Sequence, residues 1–400
     1  MNPLLVDRYD IAYFPLGAAS YGGAERSLLE LASAQQREGR RVIVCHEAAL
    51  AGTDFIVDAR AQGLPLLQVD WAPEKSALGV LTAAIGLFRQ LDARIAHVNI
   101  SWRSNMWLVP VAARLFSRAR LVGTMRAMPE PVAELKPRRY LGLVDGPPLR
   151  HLAELVLGRV WARALHQTVS VNRDDYPPRL VAEYGFDSRR LSVIYNGVRL
   201  PTQRPGIEER AQARRAWGMR DSEFALACVG RVSPEKGLKH ALEALALTDS
   251  QVSLWVAGEG PDLAPLQELA RTLGIEGRVR FLGYVADPGP LYLAADALVV
   301  PSLWNEAFGR VVVESMGRGT PVIATAVGGM RELFEDGREG WMVAKADSQA
   351  IARAVERWVG NREEWARMAA ASWQTAAERY STVRVAQEYS AAYRALGVAP

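Results

Sequence analysis

The hydrophobic positions of this chain fall into two kinds of block, and the two alternate. Short apolar runs such as "IAYFPL" (11–16) and "RVIVCH" (41–46) read as buried strands. Between them, "AERSLLELASAQQREG" (24–39) spaces its apolar residues three and four apart, the pattern of an amphipathic helix. Strand, helix and strand in that order predict a βαβ unit, hence a parallel sheet with a right-handed crossover. "RIAHVNI" (94–100), "RLVGTM" (120–125), "QTVSV" (167–171) and "LSVIYNG" (191–197) continue the series.

A polar, proline-bearing stretch, "RLPTQRPGIEER" (199–210), then breaks the rhythm and reads as a domain linker. Alternation restarts with strand signals at 224–230, 253–258, 278–285, 297–301, 321–325 and 340–344. From residue 350 almost to the end the pattern is helical. The expected fold class is α/β: two Rossmann-like, doubly wound parallel-sheet domains. The first spans 1–200 and the second 201–371, followed by a C-terminal helix within 372–400. Such sheets bind ligands outside the carboxyl ends of their strands, so function is expected in the loops after strands.

Composition narrows this picture. With 49% hydrophobic and 23% charged residues in 400, the chain is that of a globular protein with sizeable cores. No apolar run approaches the ~20 residues of a spanning helix, and no basic-then-apolar leader opens the sequence. Cys45 and Cys228 sit in strand-like runs, as buried thiols of a reducing compartment would. The net charge of +4 is uneven: residues 1–200 carry 25 basic and 19 acidic side chains, residues 201–400 carry 23 and 25. Residues 101–150 alone hold 9 basic and 3 acidic groups, a field suited to an anionic partner or simply a solvated face.

Two constellations carry chemistry. After the strand ending at Gly230 comes "RVSPEKGLKHALEAL". Ser233 and Pro234 suit the start of a helix, and Arg231 and Lys236 flank that start. Helix amides with two cations fit a diphosphate; two solvated surface charges are the alternative. The second is "WNEAFGRVVVESMGRGTPVIATAVGG" (304–329). Glu306 lies in its loop and Glu314 in the second turn of a helix opened by Gly309. A carboxylate accepts from two hydroxyls, as a vicinal diol offers. The alternative is a salt-bridge ladder of Arg310, Glu314 and Arg318 at four-residue spacing. Gly328 and Gly329 form a tight loop before a further helix, fit for close backbone approach to a phosphate or sugar or simply a helix entrance that needs glycine.

"GRVSPEKG", "AGEGP", "RFLGYV", "PSLWNEAFGRVVVESMGRGTPVIAT" and "GGMRELFEDGREGWMV", in that order, resemble the C-terminal domain of the family 4 retaining glycosyltransferases. "YGGAERSLLELASAQQREGRRVIVC" and "VIYNGV" resemble their N-terminal domain, and the Glu306–Glu314 pair is their E-x7-E signature. The resemblance implies the GT-B architecture, two such domains across a cleft with the last helix crossing back. It implies a nucleotide-sugar donor as co-substrate on the second domain, with no metal and no other cofactor. Glu314 would hold the ribose, and Glu306 with the amides near Phe308 and Gly309 the donor sugar. Arg231 and Lys236 would neutralise the leaving diphosphate, with Arg310 beside Glu314. Backbone around Gly283 and Tyr284 would meet the base, and Gly22 and Gly23 would approach the donor. Where many relatives carry a histidine, this chain has Arg126 in "GTMRAMPEP", a cation suited to the donor or an anionic acceptor.

The sequence also lacks Asp-x-Asp, His-x-x-x-His and Cys-x-x-Cys spacings. The basic, apolar segments 107–123, 136–142 and 155–166 fit either ordinary amphipathic helices or shallow docking on anionic lipid. The expectation is therefore a cytoplasmic transferase, peripheral on the inner face of the membrane, moving a sugar to a glycan or lipid-linked acceptor. Nucleic acid is not an expected partner. A GT-B enzyme of another reaction, an epimerase or phosphorylase, and a non-catalytic relative are the rival expectations.

Overall fold

The computed structural model describes residues 4, 7–18, 21–71, 75–102, 105–129, 138–140, 144–146 and 149–398. It contains two units, Met1–Gly197 with Thr382–Pro400, and Val198–Ser381.

The first unit is built on β1 (Arg8–Phe14), β2 (Val42–Glu47), β3 (Leu66–Val69), β4 (Asp92–Asn99), β5 (Arg120–Met125), β8 (Gln167–Ser170) and β9 (Leu191–Val193). All pair in parallel, in the order β3-β2-β1-β4-β5-β8-β9. An antiparallel pair, β6 (Arg138–Tyr140) and β7 (Val144–Gly146), stands apart from the sheet. The six residues of β2 are all buried, as a strand covered on both faces requires. Two predictions needed correction here. β3 is an extra strand, which its four residues, only Leu67 and Val69 of them buried, did not signal. The strand expected over 191–197 stops at Val193.

The second unit holds β10 (Phe224–Val229), β11 (Val252–Ala257), β12 (Val279–Gly283), β13 (Ala297–Val300), β14 (Val322–Thr325) and β15 (Gly340–Val343). They too are all parallel, ordered β12-β11-β10-β13-β14-β15. Both sheets thus reverse direction once, between β1 and β4 and between β10 and β13. Outside the carboxyl ends at such a reversal, neighbouring loops diverge to opposite faces and leave a crevice.

The helix expected over 372–396 is two helices, Arg362–Tyr380 and Thr382–Ala395, parted at Ser381. The 19-residue first helix belongs to the second unit. The second helix belongs to the first unit, where Val385, Ala386, Tyr389 and Tyr393 complete the core around Ile11, Tyr13, Leu28 and Ile95. Its backbone is held from the Gly23–Arg37 helix: Gln35 Nε2 donates to Ala386 O at 2.7 Å and to Ser390 Oγ at 3.0 Å. Cys45 and Cys228 are buried and unbridged. Among the described residues no helix is long and apolar enough to cross a membrane.

Candidate functional site

In the second unit the loops after β10 and β13, the two strands at the reversal, are fastened together. Leu303 N donates to Glu235 O at 2.8 Å, and Ser302 Oγ lies 3.3 Å from the same oxygen. Gly237 makes the approach possible. Its φ is +65°, and a Cβ there would lie 2.2 Å from Pro301 O. The helix predicted to start at Ser233 is instead a 3-10 turn, Pro234–Lys236, and the α-helix begins at Leu238 behind Gly237. Ser233 caps nothing; its Oγ donates to Glu235 Oε1 at 2.7 Å.

The seam brings predicted site residues into contact. Lys236 Nζ donates to Glu306 Oε1 at 2.6 Å, and Ser302 Oγ to the same oxygen at 3.0 Å. The backbone of Glu306 is gripped as well, because Gly329 N donates to its carbonyl at 2.7 Å. Gly328 allows this with φ +48°; a Cβ there would sit 2.3 Å from Glu306 O. The "GG" loop therefore opens a 3-10 turn, Gly328–Glu332, and its close approach is to the protein's own Glu306 loop.

Glu314 follows on the short Arg310–Met316 helix, whose first-flank residue Gly309 has φ +89° against Met330. Arg310 Nε donates to Glu314 Oε1 at 2.7 Å and Tyr292 Oη to Oε2 at 3.0 Å. The Arg310–Glu314 rung of the ladder therefore exists, while the Arg318 guanidinium lies beside Gly289. Phe308 is an anchor, 3% exposed and edge-on to Tyr380 at 5.9 Å. Arg231 is largely exposed, and its Nη2 lies 3.2 Å from Glu235 Oε1. The Ser233 hydroxyl, the local backbone and Arg231 hold the Glu235 carboxyl below its usual range.

After β11 and β12 the loops are glycine-made too. Gly258 (φ +149°) and Gly260 (φ +157°) lie so close to Gly230 O and Val232 O that a Cβ would fall 1.8 and 2.1 Å away. Gly283 has φ +69°, Tyr284 is exposed, and the Tyr284 N–H points at Glu259 Oε1, 3.4 Å away.

In the first unit, Gly22 and Gly23 start the helix after β1, at that sheet's reversal. The Gly22 N–H donates to Glu25 Oε2 at 3.0 Å. Burial raises the Glu25 carboxyl, against the pull of backbone N–H groups and Arg126. Arg126, beyond the end of β5, donates through Nε to Asn99 Oδ1 at 2.9 Å and through Nη1 to Asn196 Oδ1. Behind it His97 is fully buried, bonded to Tyr393 Oη at 2.5 Å and Thr124 Oγ1 at 2.7 Å. Burial, with Arg126 nearby, lowers its pKa to about 3, so it is a neutral core residue. The expected basic segment 136–142 lies mostly outside the described residues.

Sequence reasoning found the charged residues and missed their holders: Tyr292, Ser302, Glu235, Asn99 and Asn196. Glu235 stood inside the quoted "PEKG". Asn196 stood inside the quoted "VIYNGV", while Tyr292 carried no local signal, because only the fold brings it to Glu314.

The sequence model of "Glycosyl transferases group 1" matches residues 209–374, and that of "Glycosyltransferase Family 4" residues 21–200. The chain is 39% identical over 193 residues to a D-inositol 3-phosphate glycosyltransferase of Mycobacterium marinum, covering 46% of this chain and 41% of that protein. It is 37% identical over 254 residues to the Geodermatophilus obscurus protein of the same name, covering 60% and 55%. The chain thus spans about half the length of the curated relatives it matches. Among solved structures, Anabaena Alr3699/HepE in complex with UDP superposes with a TM-score of 0.80 at 22% identity, over 96% of this chain and 100% of that one. The same protein in complex with UDP-glucose gives 0.79 at 22% identity, over 98% and 100%.

Proposed function

Because the chain belongs to the family 4 glycosyltransferases of GT-B fold, we propose that it moves a sugar from a nucleotide-sugar donor to an acceptor hydroxyl, with retention. The donor is a UDP-sugar, by analogy with the HepE complexes. The observation that carries this reading is the seam at the second reversal, where Lys236, Ser302 and the Gly329 N–H all fix Glu306.

On this reading Glu314, oriented by Arg310 and Tyr292, accepts from the two ribose hydroxyls. Glu306 and the backbone at Phe308 and Gly309 hold the hydroxyls of the transferred sugar. The base lies against Gly283 and Tyr284. Lys236 and Arg231 turn from their carboxylate partners to the diphosphate and stabilise its growing charge as the glycosidic bond breaks. These cations take the place a metal ion would have. The acceptor hydroxyl attacks on the face the diphosphate leaves. Within the first unit, Gly22 and Gly23 leave the start of the helix after β1 open to close backbone approach by a ligand, and Arg126, locked by Asn99 and Asn196, offers that unit a fixed cation.

The acceptor is a growing envelope or exopolysaccharide glycan, lipid-linked and met at the cytoplasmic membrane surface. The basic character of residues 101–150 supports this, as does Leu115, exposed beside Arg114 on the Leu108–Phe116 helix. A second reading, a small phosphorylated polyol as acceptor, draws on the two curated relatives named for D-inositol 3-phosphate.

A thermal-shift screen of UDP-, GDP-, ADP- and CMP-sugars tests the donor. Transfer assays with lipid-linked glycans and with inositol phosphates then separate the acceptors. Glu314→Ala is expected to weaken UDP binding about tenfold or more, and Glu306→Ala chiefly to lower kcat, since each loses charge-assisted hydrogen bonds. Unchanged kinetics in both variants would remove these roles. Isomerised donor would favour an epimerase, and binding without transfer a non-catalytic relative.

A further inference from the structure

The second unit has a cavity of about 330 Å³ at the opposite end of its sheet from the seam. Its lining includes Arg210, Arg214, Asp296 and Arg362, with Phe224 at the start of β10 and Ser222 just before it. The six residues of β10 separate the cavity from the Arg231 loop, roughly 20 Å at the rise of a strand.

Three guanidinium groups converge here on one carboxylate. Arg210 Nη2, Arg214 Nη1 and Arg362 Nη2 lie 3.0, 3.0 and 2.9 Å from Asp296, which is 2% exposed. Arg214 is nearly spent, since its two terminal nitrogens also donate to the carbonyls of Ala294, Arg220 and Glu223 and only Nε is left over. The other two are not. Arg210 donates to Ala295 O and Asp296, and Arg362 to Asp296, which leaves Nε of Arg210 and Nε and Nη1 of Arg362 without an acceptor among the described residues.

Both free edges are held in place. The Trp365 ring lies 4.9 Å from the Arg210 guanidinium carbon and 4.4 Å from that of Arg362, and Phe224 lies 5.3 Å from the latter. Of the other acids in the lining, Glu223 accepts from Ser253, Trp255 and the Arg220 N–H, and Asp221 stands exposed at the rim. A structural hub explains Asp296 and Arg214. It does not explain two preset guanidinium edges lining an open cavity, an arrangement that matches phosphate oxygens.

We propose that this cavity binds a phosphate dianion, free or as the head of a small monoester, at a site separate from the donor site. Arg362 supplies a forked pair of donors, Nε and Nη1, and Arg210 its Nε, while Ser222 and Gln251 line the rim. Inorganic phosphate and glycerol 3-phosphate are the probes, titrated calorimetrically into the full chain. Saturable binding is expected to survive in Arg231→Ala/Lys236→Ala, which removes the cations read as the diphosphate site. It is expected to weaken about tenfold or more in Arg362→Gln, the loss of a charge-assisted pair. Ser222→Asp, an exposed change that leaves the hub intact, should weaken it too and serves if Arg362→Gln fails to fold. Tighter binding of glycerol 3-phosphate than of phosphate would identify the monoester as the ligand. Absence of saturable binding, or binding lost in the double variant and kept in Ser222→Asp, would overturn the proposal while leaving the transferase reading untouched.

Discussion

At the scale of single residues, the site is poised by internal counter-charges. Glu235 occupies Arg231 with the help of the Ser233 hydroxyl, so on the proposed reading an incoming diphosphate has to displace it. Glu235→Gln removes that competitor and is expected to tighten UDP binding severalfold, read by calorimetry; weaker binding would show that Glu235 itself serves the donor. Tyr292→Phe deletes one of the two fixed donors to Glu314. The UDP dissociation constant should rise about three- to tenfold with little change in melting temperature. His97 makes a different prediction. Its folded pKa of about 3 lies below the unfolded value of 6.5, so the unfolded chain binds the extra proton. Stability should therefore be unaffected above pH 6.5 and fall as pH drops from there toward 3, by roughly 2 kcal/mol at pH 5. Urea midpoints between pH 7 and 5 measure this, and His97→Gln should flatten the slope.

At the scale of elements, the loops after strands are set by glycines whose missing side chains are filled by neighbouring backbone. Gly237 is the clearest case, since it lets the β10 loop lie on Pro301 O. Gly237→Val should cost about 2–4 kcal/mol through a positive φ and a direct clash, and should part Lys236 from Glu306. The measurable result is a lower melting temperature together with a larger loss of kcat than of donor binding. This level was only partly legible in the sequence. Strand blocks such as "FALACVG" and the helix 24–39 could be read because burial on both faces, or on one, imposes a period. The start of the helix after Gly230 could not. "SPEK" has good helix-opening chemistry, yet the seam to Leu303 and Ser302 bends it into a 3-10 turn first. Short-range propensity yielded there to a contact about 67 residues away, and no local pattern records such a contact.

At the scale of the molecule, the two sheets share one winding, which puts the loops of Gly22, Arg231, Lys236 and Glu306 at points of reversal, while Gly283 and Tyr284 follow the edge strand β12 and Arg126 follows β5. The alternation along the chain was enough to point to the loops after strands, but not to the strand order that sets the reversals. The end of the chain was harder: the helical pattern from residue 350 proved to be three helices, Ser348–Gly360, Arg362–Tyr380 and Thr382–Ala395, and the last passes to a different unit at Ser381, which offers no proline or glycine to mark the break. The seam of Gln35, Ser390 and the Tyr13–His97–Tyr393 cluster shows how much the first core depends on the last helix. Its removal would take Val385, Ala386, Tyr389 and Tyr393 out of that core, at about 1.5–3 kcal/mol for each large one.

This dependence sets an order of assembly. During synthesis the stretch from Val198 to Ser381 is complete, and free to fold, while the nascent first unit still waits for its final segment. A fragment of residues 198–381 should give a cooperative melt by itself. Residues 1–197 should stay incompletely packed, bind a hydrophobic dye, and be rescued by adding a peptide of residues 382–398. On the ribosome, the half that emerges first is the half that matures last.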